Sequence, residues 1–326
     1  MTAGCPKGVN KMLVEKAIGR YGDTIRNLLP PEPWKYDLDR LMLPLIRELD
    51  LFHLALSGED GELLERIGEC YHVERHLGLA ATYYQKAVAA SPPEPVTDEM
   101  MAAVLRHAPL LKLTEMECFP LKDVVAIHHP DKPVIAYHLF WEDDYDFPDD
   151  NDPCDHEQVW VAYDRNSRRV TDVWAFYHGS IITTARAAEL ANEADGRPEI
   201  RVQWGKHGSI PAEGEKVRLP RYTVLEDMRE AYHQMVAGGR AKDHPIKARF
   251  WPAAYRGTWE DFMRFPVTVD SAEFLEAKNF VICSRLSNAV IQQYFLTYNF
   301  AAKFGWPWHA PVYDETGPVT KAGACA

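Results

Sequence analysis

The chain has 326 residues, 46% of them hydrophobic, which exceeds one ordinary domain and predicts two domains with separate cores. A net charge of -12 and a pI near 5.5 oppose the nucleic-acid backbone and anionic lipid, which carry the same sign, but favour collecting a cation. No run of about 18 apolar residues and no apolar leader core is present, so a cytoplasmic protein without membrane insertion is expected.

Residues 1 to about 115 read as helical. Leu41, Leu43, Leu45, Ile46, Leu49, Leu51 and Leu54 recur at spacings of three and four, the period of an amphipathic helix, with Pro44 as a kink or start. From 61 to 95, Leu64, Ile67, Gly68, Tyr71, Ala80, Tyr84, Ala87 and Pro92 follow the alternation of large, small and aromatic positions in a tetratricopeptide-like helix-turn-helix unit. One such unit cannot bury both its faces, so a helical cap is expected ahead of a peptide-binding groove, with a protein partner as the alternative. The helical pattern resumes at 97 to 111 after SPPEPVT, which puts the domain border at 112 to 120.

Beyond the border the period changes to two. Residues 133 to 141, 157 to 163, 170 to 178 and 199 to 204 are short, β-branched or aromatic, and separated by Asp, Asn, Pro and Gly, as strands of an antiparallel sheet or sandwich are. His128 and His129, before Pro130, read as surface residues of a loop. Helices follow at 223 to 237, 272 to 278 and 286 to 302. The six cysteines, at 5, 70, 118, 154, 283 and 325, have neither zinc-site spacing nor disulfide density, and read as mostly reduced thiols.

The densest chemistry lies in EDDYDFPDDNDPCDHE, residues 142 to 157. So many carboxylates repel one another unless solvated or neutralised by a cation. Asp155 and Glu157 enter a strand two positions apart, so both face one side and His156 the other. His138 on the preceding strand and His178 at the end of the following one could converge with them on one sheet face. His-Gly-Ser occurs twice, at 178 to 180 and at 207 to 209, and glycine beside imidazole permits a tight turn with room for a ligand.

Taken together, the stretch from about 128 to 211 resembles the necrosis-inducing protein family and its relatives related to vacuolar protein sorting protein sixty-two. The shared pieces are HHPDKPVIAYHLFWEDD, CDHEQVWVAYD, VWAFYHGS and VQWGKHGSIP. The resemblance implies a metal-binding β-sandwich in which Asp155 and Glu157 are ligands, joined by Asp143 or Asp144 and by His178, with His207 in a later turn. The toxins' Gly-His-Arg-His reads Asn151-Asp152-Pro153-Cys154 here, so Asp152 stands where a ligand histidine would. A carboxylate can replace imidazole around Mg2+ or Ca2+, so the metal survives this exchange while cytolytic activity does not follow.

The expectation is therefore an α+β protein: a helical, tetratricopeptide-like domain over 1 to 115, and a metal-binding antiparallel β-sandwich with C-terminal helices over 116 to 326. Its expected metal ligands are Asp155, Glu157, His178, Asp144, Asp152 and His138, holding a divalent ion, with Mg2+ or Ca2+ favoured over a transition metal. His156, His178 and His207 are the candidate acid and base residues of a metal-dependent lyase, cyclase, dehydratase or hydrolase acting on a small metabolite. The alternatives are a metal-dependent sugar or headgroup-binding module with Trp141, Tyr145 and Phe147 as an exposed rim, and an interaction protein using the helical domain.

Overall fold

The computed structural model describes residues 37–58, 60–117, 119–144, 155–237, 257–276, 279–292 and 305–319. It is a mixed α/β structure, with helices first and two β-sheets after them, and its contacts divide it into two units. No helix among the described residues is long and apolar enough to cross a membrane.

The first unit begins with helices α1 (Asp37–Ser57), α2 (Gly61–Val73) and α3 (Leu77–Ala90). Helix α1 continues through Pro44 instead of starting or stopping there. Asp60 caps α2 by accepting from the Leu63 N–H at 2.8 Å, satisfying one of the donors that a helix start leaves over. Leu64, Ala80, Tyr84 and Ala87 form the buried seam between α2 and α3. Gly68 is small for a packing reason: a Cβ there would sit 2.7 Å from the Tyr84 ring. The Gly68→Ala variant is expected to destabilise this unit by about 1 to 3 kcal/mol through overpacking, measured by urea denaturation. An unchanged midpoint would show that Tyr84 yields freely.

The second unit starts at Glu94, ahead of the border expected near residue 115. The reason is helix α4 (Asp98–His107), which buries Ala103 and Val104 in the core of that unit and whose Val104 carbonyl accepts from Tyr137 Oη at 2.7 Å. Its strands are β1 (Leu110–Leu113), β2 (Leu121–His128), β3 (Val134–Trp141), β4 (Asp155–Tyr163), β5 (Val170–Tyr177), β6 (Ser180–Ile182), β7 (Glu199–Val202), β8 (Ser209–Pro211), β9 (Val267–Asp270), β10 (Phe280–Ile282), β11 (Val312–Asp314) and β12 (Gly317–Val319). Helices α5 (Ala187–Glu193), α6 (Val224–Val236) and α7 (Trp259–Phe262) lie between them, and α8 (Asn288–Gln292) returns to the first unit.

One sheet runs β8-β7-β1-β9 and the other β10-β2-β3-β4-β5-β6-β11-β12. They are not antiparallel throughout, because β1 pairs parallel with β7, β2 with β10 and β6 with β11. Residues 110 and 111, which the helical pattern of the sequence takes in, belong to strand β1. His128 and His129 are not surface residues: they are 1% and 8% exposed, His128 ends β2, and its Nε2 bonds Tyr163 Oη at 2.9 Å.

One apolar cluster joins both sheets. It takes Leu111, Ile200, Val202 and Ile210 from the smaller sheet, and Tyr137, Leu139, Trp141, Val159, Val161, Val173, Ala175 and Tyr177 from the larger. The larger-sheet members sit at alternate positions, so this face of β3, β4 and β5, the inner face, is the one turned to the shared core.

Candidate functional site

Strand register sets which side chains can meet. Across β3 and β4, Trp141 pairs with Asp155, Phe140 with His156, Leu139 with Glu157 and His138 with Gln158. Alternation then puts Asp155 and Glu157 on the inner face beside Trp141 and Leu139, and puts His138 and His156 on the opposite face. Glu157 is 2% exposed, a carboxylate at the edge of an apolar interior.

His207 is fully buried among acidic partners. Its Nδ1 lies 2.9 Å from Asp155 Oδ2, and its Nε2 lies 3.4 Å from Glu117 Oε1, an ion-pair separation rather than a well-formed hydrogen bond. The ring stacks on Trp141, with centroids 4.3 Å apart and planes within 2°. Burial is the largest single influence on this imidazole and favours the neutral form. The Glu117 and Asp155 carboxylates outweigh it together and raise the pKa to about 10. Glu117 mirrors this: burial pushes its pKa up, but the His207 charge and hydrogen bonds more than compensate, leaving it below the usual carboxylate range.

Glu117 also stitches two loops. Its carboxylate accepts the Phe119 N–H and the Gly205 N–H, both at 3.0 Å, while Trp204 Nε1 donates to the Met116 carbonyl at 2.6 Å. The 203 to 208 loop closes on itself through Gln203 N–H to the Gly208 carbonyl and His207 N–H to the Gln203 carbonyl.

The two His-Gly-Ser turns come together here. Both histidines adopt left-handed backbone, φ 43° at His178 and φ 51° at His207, a conformation that costs a non-glycine residue energy and concentrates at functional sites. Gln203 joins the turns, since its Oε1 accepts from His178 Nε2 and its backbone holds His207. Next to His178, Tyr177 Oη donates to Asp227 Oδ2 at 2.7 Å. Asp227 is delivered by α6, whose start is fixed by a reciprocal cap between Thr223 and Glu226. Burial first, then Asp227 and, more weakly, Glu157, push the Tyr177 phenol well above its ordinary pKa.

The opposite face holds a different pair. His138 Nδ1 lies 2.9 Å from His156 Nε2, the rings are within 10° of parallel, and Phe140 stacks on His156. Burial pushes the His138 pKa down to about 3, so that imidazole stays neutral.

Several expectations change accordingly. His138 does not converge with Asp155 and Glu157, because an odd spacing from Trp141 turns it to the other face. His156 shares that face, so neither imidazole approaches the inner carboxylates. His207 reaches Asp155, and Glu117 and Asp155 together raise its pKa to about 10, which favours the imidazolium. Trp141 is fully buried and forms no exposed rim, while Tyr145, Phe147, Asp152 and Cys154 lie outside the described residues. Asp144 follows β3 in a turn where its N–H donates to Asp143 Oδ1. Among the described residues, no three His, Cys, Asp or Glu side chains are grouped as ligands of one ion.

Sequence reasoning missed Glu117, Gln203 and Asp227, which reach the site from separate loops and a helix. The repeated His-Gly-Ser was the available signal for Gln203, which lies four residues before the second copy. No family model, no curated protein and no solved structure matches the chain.

Proposed function

We propose that this protein is a divalent-cation-dependent enzyme acting on a small metabolite, with its site at the Asp155 and Glu157 end of β4. The observation that carries the reading is the projection of two carboxylates, two positions apart, from one strand into the apolar layer, alongside two strained histidine turns. Oxygen donors on a stiff strand suit a hard ion such as Mg2+ or Ca2+.

Asp155, Glu157 and Asp144 are the residues that would hold the ion. Asp155 already accepts from His207 Nδ1 and from the His156 N–H, so it would offer remaining lone pairs. When bound, such an ion polarises a carbonyl, phosphoryl or hydroxyl oxygen. His178 is the imidazole placed to move a proton. Its Nε2–H donates to the Gln203 amide oxygen, which makes Nδ1 the basic nitrogen. His207 serves to orient Asp155.

The shared apolar cluster supports reading the two sheets as layers of a sandwich, and the seam of Leu64, Ala80, Tyr84 and Ala87 supports reading α2 and α3 as a tetratricopeptide-like unit. Lyase, cyclase, dehydratase and hydrolase chemistry all use these groups. A cytoplasmic location accords with the charge of -12.

Elemental analysis and Mn2+ calorimetry test the reading. The wild-type chain is expected to hold about one equivalent, Asp155→Asn and Glu157→Gln to lose it, and His138→Gln to keep it. Equal metal content in wild type and both carboxylate variants would overturn the proposal.

A further inference from the structure

Three buried polar groups around His207 find no hydrogen-bond partner among the described residues: Trp141 Nε1, the Gln203 carboxamide nitrogen and Ser209 Oγ. Their residues are 0%, 2% and 0% exposed. Buried polar atoms in folded proteins are almost always satisfied, so three orphans in one neighbourhood mark a place where something else supplies partners.

They are neighbours through His207. Its ring stacks on Trp141, its N–H donates to the Gln203 carbonyl, and Gly208 and Ser209 follow it in the chain. Gly208 secures the arrangement, because a Cβ there would stand 2.9 Å from the Tyr177 ring and 3.0 Å from Gln203 Oε1. The Gln203 carboxamide therefore keeps its oxygen toward His178 and has its nitrogen to give elsewhere.

The chemistry of the orphans narrows the ligand. An indole Nε1 and a carboxamide nitrogen can only donate, and a serine hydroxyl can also donate. The missing partner is thus an acceptor of several hydrogen bonds. Asp155 and Glu157 would repel an anion approaching without a cation.

We infer that the substrate presents an oxyanion, a carboxylate or phosphoryl group, to Trp141 Nε1 and the Gln203 amide, with Ser209 as a third contact. The inference rests on the proposed cation site, since a bound ion would offset the carboxylates and share the oxyanion. Trp141 and Gln203 are then specificity residues for the same site.

The test is calorimetric titration of inorganic phosphate into the full chain, with and without saturating Mn2+. The variants are Trp141→Phe, which keeps the ring stack and removes the N–H, and Gln203→Leu. Wild type with Mn2+ should bind phosphate, and each variant should weaken it about tenfold or more while retaining its equivalent of Mn2+. Thermal melts establish that each variant is folded, and either one alone decides the matter. If Mn2+ binds and phosphate does not, or binds all three proteins equally, the oxyanion inference falls and the cation site stands. If phosphate binding depends on Trp141 and Gln203 but no Mn2+ binds, the cation site falls and the oxyanion contacts stand. Binding of neither ligand would overturn both.

Discussion

Glu117→Ala is expected to cost the second unit about 3 to 5 kcal/mol, the usual effect of stripping one partner from a buried ion pair. The variant leaves the fully buried His207 imidazolium with Asp155 as its neighbouring carboxylate, and removes the acceptor of the Phe119 and Gly205 N–H groups. In a unit of this size the melting temperature should fall by roughly 10 °C. Glu117→Gln should cost less, because an amide oxygen still accepts one of those N–H groups. Removing both charges together, in Glu117→Ala with His207→Leu, should recover part of the loss, since no undercompensated imidazolium then stays buried. Urea denaturation gives the comparison. A Glu117→Ala loss below about 1 kcal/mol would mean that the two groups do not act as an ion pair.

Acid should destabilise the fold well before its carboxylates titrate. Burial, the leading cause in both cases, lowers His128 to a pKa of about 4 and His138 to about 3, against 6.5 when unfolded. A base whose folded pKa is depressed imposes no penalty above the unfolded value. Below pH 6.5 the unfolded chain takes up protons that the folded chain refuses, and stability declines until the folded pKa is reached. At about pH 5 the two histidines together should remove roughly 4 kcal/mol relative to about pH 7.5. Melting curves across that interval measure this. His138→Gln should remove about 2 kcal/mol of the loss over that interval, and an unaltered slope would show that His138 is not a group responsible.

Much of the fold could be read from hydrophobic period, because that signal is local. Strands β3, β4, β5 and β7 and helix α6 fall within a residue or two of where alternation or three-four spacing put them. The strands that escaped notice, β1, β6, β8, β9, β10, β11 and β12, have three or four residues each, too short for a period to register. Strand β2 is long but buried on nearly its whole length, so it shows no alternation either.

The site divides in the same way. The common face of Asp155 and Glu157, and the opposed face of His156, follow from parity within one strand. The displacement of His138 from that group follows from parity too, but only once its register with β4 is known. Glu117, Gln203 and Asp227 meet the site through tertiary contacts between segments about 25 to 90 residues apart in the numbering, which no local pattern encodes.

Helix α8 bears on the order in which this protein can be completed on the ribosome. Ala289, fully buried, sits in the seam built by Leu64, Ala80, Tyr84 and Ala87, so the first unit is closed by a segment translated after nearly all of the second. A nascent chain ending at 286 has every strand from β1 to β10 available but an open N-terminal seam. The usual sequence of synthesis, in which the first domain is finished before the second begins, does not hold here, and the seam of the early helices lacks Ala289 until late in translation.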